Sequence, residues 1–261
     1  MILQKFALYP YSEETTQLYM KTTDDVVTDK EKVELKTLAK VNLETYFNLF
    51  SCLKWKKYVG VESVYLRLKL NGIVKVKIDH LQVKDGDVER HGVLDEEIQS
   101  DASGYVTSNE FTLPEKGMLG VMIEAVSESV LYEVDFSTDQ TGMEENDICI
   151  GIGICTFKRE KYVERNINLL KEGILNNPAA EAYDHIKICI SDNAGTLEPE
   201  KIENPEIHVV KNKNLGGVGG FTRTMLEYLN GEEKISHVLL MDDDAIILPE
   251  TIERNYLFLK H

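Results

Sequence analysis

The sequence predicts two units of different class: an all-β module over residues 1–146, and an α/β unit with a mostly parallel sheet over residues 147–261. Three observations lead there. Before residue 146, apolar residues alternate with polar ones over short runs, the period of strands with one buried face. After residue 147 the rhythm becomes apolar run, helical spacing, apolar run, which is the pattern of βα units. Between the two lies TDQTGMEEND (138–147), a polar stretch that reads as a linker.

In the first part, SVYLRLKL (63–70) alternates Val64, Leu66, Leu68 and Leu70 with Tyr65, Arg67 and Lys69. IVKVKID (73–79) does the same with Val74, Val76 and Ile78. Asn71-Gly72 between them is a two-residue hairpin signal. GMLGVMIEAV (117–126) and SVLYEVDF (129–136) read as further strands, and the whole predicts a β-sandwich or barrel-like module.

In the second part, ICIGIGICTF (148–157) is continuously apolar, as a strand buried on both faces should be. REKYVERNINLLKEGI (159–174) carries Val163, Ile167, Leu170 and Ile174 at helical spacing. HIKICIS (185–191), EIHVVKN (206–212) and HVLLMD (237–242) are the next strands. A helix is expected over 219–230, and another opening at Pro249, where proline's missing N–H has no partner to lose.

Composition narrows the function. A net charge of -16 in 261 residues disfavours nucleic acid and anionic membranes as general partners, while leaving room for one local phosphate site. No apolar run approaches the roughly 20 residues of a membrane span, and the N-terminus is a poor signal peptide. Cys52, Cys149, Cys155 and Cys189 form no CxxC pair and read as small apolar residues of a reducing cytosol, so a cytoplasmic location is expected. The histidines show neither HxH nor HExxH, which argues against zinc.

Ligands of open α/β sheets bind beyond the carboxyl ends of the strands. Thr156, Phe157, Lys158 and Arg159 follow the first strand, and Asp192 and Asn193 close the second. The third leads into Asn214-Leu215-Gly216-Gly217-Val218-Gly219-Gly220 and on to Arg223, and the fourth ends in Asp242, Asp243 and Asp244. Asp242 and Asp244, at alternating positions, could share a hard divalent cation, Mg2+ or Mn2+; the alternative is a solvated acidic loop. DxDxDG and GxxxxGK[ST] are both absent, so neither an EF-hand nor a Walker pair is read. The glycine run suits close backbone approach to an anion at a helix start, or a flexible turn. Arg223 could face phosphate or solvent. Asp192 and Asn193 could bond a nucleobase or ribose, or form an Asx turn. Arg159 could contact base or phosphate, or be surface charge at a helix start.

CTFKRE, SDNAG, NLGGVGG-FTR and LLMDDDA, in this order, resemble a family 2 glycosyltransferase with a GT-A fold, and more narrowly the bacterial polymerising galactofuranosyltransferases. ETYFNLFSCLKWKKY (44–58) is similar to a stretch of that family's N-terminal β-sandwich. The fold class is therefore α/β plus all-β: a β-sandwich, then a partial GT-A, Rossmann-like, nucleotide-sugar-binding domain. The resemblance implies a UDP-galactofuranose donor, a divalent metal and inverting transfer to the hydroxyl of a growing cell-surface glycan, at the inner face of the membrane. It sets Arg159 and Asn193 near the uridine diphosphate, Asn214, Gly216, Gly217, Gly219 and Gly220 beside the donor, Asp242 and Asp244 on Mn2+ or Mg2+, and Asp243 nearer the sugar; Thr156, Phe157, Asp192 and Arg223 join the expected donor site by their place at the strand ends. Lys158 stands where the family has Asn, Glu160 where it has Pro, and Asn193 where it has Gln. The family's acceptor half, with its catalytic base, follows where this sequence stops at His261, so a fragment or truncated product with an exposed sheet edge is expected. A rhamnosyl or other sugar transferase is one rival. A non-catalytic carbohydrate- or nucleotide-binding module, or one that organises a homo-oligomer, is another.

Overall fold

The computed structural model describes residues 1–10, 12–29, 31–101 and 104–261. The chain divides into two compact units, Met1–Glu144 and Glu145–His261. Among the described residues no helix is long and apolar enough to cross a membrane. All four cysteines are free thiols, with Cys52 and Cys189 buried.

The first unit is all-β, with helix confined to short segments such as Thr16–Tyr19 and Cys52–Lys54. Its spine is a single strand of 22 residues, Ser63–Lys84. The first half of this strand pairs antiparallel with Ser129–Ser137 and the second half with Met118–Ala125. The hairpin expected at Asn71-Gly72 does not form, because the chain runs through it. The turn comes instead at Asp85-Gly86, whose φ values of 53° and 93° are those a two-residue hairpin requires, and it pairs Lys84 with Asp87.

Side-chain parity explains the difference. Val64, Leu66, Leu68, Leu70, Val74, Val76 and Ile78 are all buried, so one inward series runs unbroken across Gly72. A two-residue turn would set Leu70 and Ile73 on one face and swing Lys75 and Lys77 inward. Gly72 takes the inward place where the strand changes partners. Its φ is 116°, and a Cβ there would stand 2.3 Å from Ser129 Oγ. The N–H of Ile73 donates to the hydroxyls of Ser127 and Ser129 at 3.2 and 3.1 Å.

The TYFN stretch pins this unit's N-terminal segment. Asn48 is fully buried. Its amide donates to the carbonyls of Ala7 and Tyr19 at 2.8 and 2.7 Å and accepts from the Ala7 N–H at 2.8 Å. Thr45 donates to the same Tyr19 carbonyl at 2.7 Å. Phe50 then packs on Phe136 and Trp55, with ring centroids 4.6 and 5.8 Å apart.

The second unit is a four-stranded parallel sheet flanked by helices. Its strands are Ile150–Thr156, Ile186–Asp192, Ile207–Lys211 and His237–Asp242. In space they run third, second, first, fourth, all parallel. Ile150, Ile152 and Ile154 belong to one core with Val163, Ile167 and Leu170 of the helix Glu160–Leu170 and with Ile252 and Tyr256 of the helix Pro249–Lys260. On the fourth strand, which pairs only with the first, Val238 and Leu240 are partly exposed.

On the opposite face the first strand presents Gly151, Gly153 and Cys155 to the helix Gly216–Asn230. This helix begins at Gly216 rather than 219, so the glycine run is its first turn. Every fourth helix residue meets every second strand residue. A Cβ on Gly220 would stand 2.1 Å from Cys155 Sγ, one on Gly153 would stand 2.4 Å from Thr224 Oγ1, and one on Gly151 would stand 2.7 Å from the Tyr228 ring. Four helical residues advance about 6.0 Å and two strand residues about 6.6 Å, so the two repeats stay in step over two turns. The Tyr228 hydroxyl closes the far end on the Ile152 carbonyl at 2.7 Å.

The glycines of this turn should therefore respond oppositely to the same change. Gly220→Ala should lower stability by about 1–3 kcal/mol through overpacking. At Gly217, where the nearest atom to an added Cβ is 3.9 Å away, alanine should raise it by about 0.5–1 kcal/mol through helix propensity. Urea titrations of both variants measure the difference.

Candidate functional site

The strand order places a reversal between the first and fourth strands: the first three are laid down to one side, then the chain crosses to the other. Crevices of this kind open at the carboxyl ends of the strands. Cys155 is in register with both Ser191 and Asp242, so the ends of the first, second and fourth strands lie level. A pocket of about 310 Å³ opens there. Cys155, Thr156, Phe157 and Arg159 line it from the first strand, and Asn193 from the second. Asn214, Gly216 and Gly217 line it from the glycine-led helix, and Asp242 and Asp243 from the fourth strand.

The acidic triplet is resolved side chain by side chain. Asp242 and Asp244 are exposed and Asp243 is buried. Asp243 accepts from the Thr156 hydroxyl at 2.8 Å and from Arg159 Nη1 at 3.3 Å. The same Nη1 bonds the Asp244 carboxylate. One guanidinium thus spans two neighbouring carboxylates and offsets their repulsion. Its pairing with Asp244, and then the fields of Asp243 and Asp244, hold Arg159 above the usual arginine range. Burial first, then the fields of Asp243 and Asp242, raise the Cys155 thiol, so it lines the pocket as a neutral group.

The backbone of the triplet is held separately. Asn166 is fully buried and donates to the carbonyls of Asp243 and Ala245 at 2.9 and 2.8 Å. Arg165 Nη2 reaches the carbonyls of Asp244 and Ala245 at 3.3 and 2.8 Å. Sequence reasoning passed over both residues. A signal was present for Asn166, a polar side chain three residues after Val163 and one before Ile167, inside the apolar stripe of its helix.

Other expected site residues are engaged elsewhere. The Asp192 carboxylate is buried and accepts from the N–H groups of Ala194, Gly195 and Leu197 at 3.0, 2.8 and 2.9 Å. It shapes its own loop, as the Asx-turn alternative has it, and does not line the pocket. Arg223 pairs with Glu227 at 2.6 Å, one turn farther from the helix start, instead of turning to the pocket. Gly219 and Gly220 serve packing: a Cβ on Gly219 would stand 2.4 Å from that of Leu215, and Gly220 lies against Cys155. Asn193 is nearly buried and ties the edge together. Its amide donates to Cys155 Sγ at 3.3 Å and to the Gly216 carbonyl at 3.2 Å, and accepts from Asn212 at 2.9 Å.

Among the described residues, no group of three or more His, Cys, Asp or Glu side chains forms a metal cage. The donor set present, Asp242 and Asp244 on the exposed side, is all hard oxygen. It fits a Mg2+-like ion that takes one or two carboxylates from protein and the rest from substrate phosphate and water. Gly216 and Gly217 open a 15-residue helix beside these carboxylates; the Gly216 N–H donates to Asn214 Oδ1 at 3.2 Å, and the N–H groups that follow it in the first turn favour an anion.

Comparison with known proteins bears on both units. Residues 4–133 match the family model for the galactofuranosyltransferase 2 N-terminal region, and residues 151–261 match that for glycosyl transferase family 2. Galactofuranosyltransferase GlfT2 of Mycobacterium tuberculosis is 24% identical over 238 residues, covering 83% of this chain and 34% of the relative. That of Mycolicibacterium smegmatis is 22% identical over 226 residues, covering 85% and 34%. The chain thus spans about a third of the length of the curated relatives it matches. Among solved structures, the CBM22-1 xylan-binding domain of Paenibacillus barcinonensis Xyn10C covers 54% of this chain and 97% of its own, with a TM-score of 0.31 and 12% identity, too distant to bear on fold or ligand.

Two variants test the local physics. Asn166→Leu keeps the volume but leaves the buried Asp243 carbonyl without its donor, while Ala245 keeps Arg165, and should cost about 1–3 kcal/mol in urea denaturation. Lys158 has a φ of 56°, left-handed for a non-glycine residue. Asn, the residue of the resembled pattern, tolerates that region, so Lys158→Asn should stabilise by about 0.5–1 kcal/mol, read as a raised thermal midpoint.

Proposed function

Because this chain is a galactofuranosyltransferase-like protein of glycosyltransferase family 2, with the N-terminal domain that accompanies that type, we propose that its α/β unit is the donor-binding part of a GT-A fold that takes a UDP-sugar, with galactofuranose as the sugar. The all-β unit is read as a β-sandwich. One observation carries the proposal: at the strand-order reversal, one pocket gathers the start of a glycine-led helix, an exposed carboxylate and an arginine.

Each side chain then has a part. The N–H of Gly217, at the helix start, faces the diphosphate, where negative charge is favoured. Asn193 and Asn214 hold that helix start in place, through the Gly216 carbonyl and the Gly216 N–H. Phe157, 46% exposed at the pocket wall, offers an aromatic face to the uracil. Asp242 and Asp244 would hold Mn2+ or Mg2+, which when bound would offset charge on the departing diphosphate. Asp243 is engaged by Thr156 and Arg159, so it sets the shape of the edge rather than taking a proton from the acceptor. Transfer with inversion to a growing cell-surface glycan, at the inner membrane face and by an enzyme that can assemble as a homo-oligomer, completes the reading.

Calorimetric titration with UDP tests it. Binding in Mn2+ should fall at least about tenfold in EDTA, and equally in Asp242→Ala/Asp244→Ala, the scale of losing a charge-assisted contact. Affinity for UDP unchanged by EDTA and by the double substitution would refute the assignment. Competition by UDP-galactofuranose against other UDP-sugars then identifies the sugar.

A further inference from the structure

The guanidinium of Arg159 lies where a cation is wanted. Its Nη1 bonds carboxylate oxygens of both Asp243 and Asp244. A metal ion on Asp244 would bring a second cation onto the carboxylate that Arg159 already pairs, and the two positive charges repel there. We infer that Arg159 is a built-in counter-cation that closes the Asp243–Asp244 carboxylates in the cation-free protein. A divalent cation must displace it from Asp244, and the released guanidinium then turns to the donor diphosphate. This rests on the donor-site reading above.

Three features make the exchange feasible. Arg159 is half exposed and sits just before its helix, so its side chain can leave without disturbing the core. The triplet does not need it to keep its shape, because Arg165 and Asn166 hold the carbonyls of Asp243, Asp244 and Ala245. Arg159 also lines the pocket with Gly216 and Gly217, so an anion at the helix start lies within its reach.

The arrangement has a thermodynamic consequence. Cation binding frees Arg159, and a bound diphosphate keeps it from returning. Each ligand therefore strengthens the other through one side chain, and the coupling is reciprocal. It also keeps the empty edge from holding uncompensated charge: three carboxylates crowd there in a chain of net charge -16.

The test is Mn2+ binding in the absence of any nucleotide, followed by electron paramagnetic resonance on the 261-residue chain, its Arg159→Gln and Arg159→Lys variants, and Asp242→Ala/Asp244→Ala. Thermal melts verify folding. Arg159→Gln should bind Mn2+ alone about 2- to 5-fold more tightly, the worth of a half-exposed ion pair, while losing affinity for UDP in Mn2+. Arg159→Lys, a point charge unable to bridge two carboxylates as a planar fork does, should fall between. A merely structural arginine would weaken both ligands together. If Mn2+ binds the parent chain through the aspartates and Arg159→Gln leaves that affinity unchanged or lower, the latch is wrong and the donor site stands. If folded parent and Arg159→Gln both fail to bind Mn2+, latch and metal assignment fall together.

Discussion

The second unit depends on how closely the helix Gly216–Asn230 lies on the first strand. Gly220 on Cys155, Thr224 on Gly153 and Tyr228 on Gly151 are three contacts in which one partner has almost no side chain. The helix therefore approaches the sheet backbone more nearly than ordinary side chains would permit. That approach sets where the helix starts, and the start sets where its free N–H groups point. Asn193 joins the arrangement by bonding both Cys155 and Gly216, so strand end and helix start move as one. The glycines thus play two different parts. Gly216 and Gly217 open the pocket wall, while Gly219 and Gly220 allow the contact that places it.

The acidic triplet shows how an edge strand can end in like charge. The three carboxylates are not equivalent. Asp243 turns inward to a hydroxyl and a guanidinium, and its neighbours remain outside. Asp242 closes the strand, and the turn that follows sets Asp243 inward and Asp244 outward. Asn166 and Arg165 then hold the turn by its carbonyls, so the backbone keeps its course whatever the carboxylates bind. Shape and charge are held by different residues: Asn166 and Arg165 bond the backbone, and Thr156 and Arg159 the carboxylates.

The all-β unit illustrates a conflict between a local signal and a longer one. Asn71-Gly72 has the composition of a tight turn, yet the inward parity from Val64 to Ile78 passes through it unchanged. Burial of seven apolar side chains outweighs a two-residue preference of a few tenths of a kcal/mol to about 1 kcal/mol. At Asp85-Gly86 no apolar series opposes the turn, and the hairpin forms. The TYFN stretch, read as part of a resemblance, proves to be a set of buried hydrogen bonds: Thr45 and Asn48 close on Ala7 and Tyr19.

The sequence by itself determined the change of class near residue 146, the parallel strands, and the edge at which polar and glycine-rich residues gather. These follow from periodicity and from what comes directly after each apolar run, both local properties. It also pointed to Thr156, Phe157, Arg159, Asn193, Asn214, Gly216, Gly217, Asp242 and Asp243, which one pocket does bring together. Only the tertiary structure decided which of the gathered groups were already engaged. Asp192 is taken by its own loop, Arg223 by Glu227, Gly220 by Cys155, and Asp243 by Thr156, a residue 87 positions away. The reason is physical: residue type sets what a side chain can bond, but the partner it finds depends on which distant segments the sheet brings alongside.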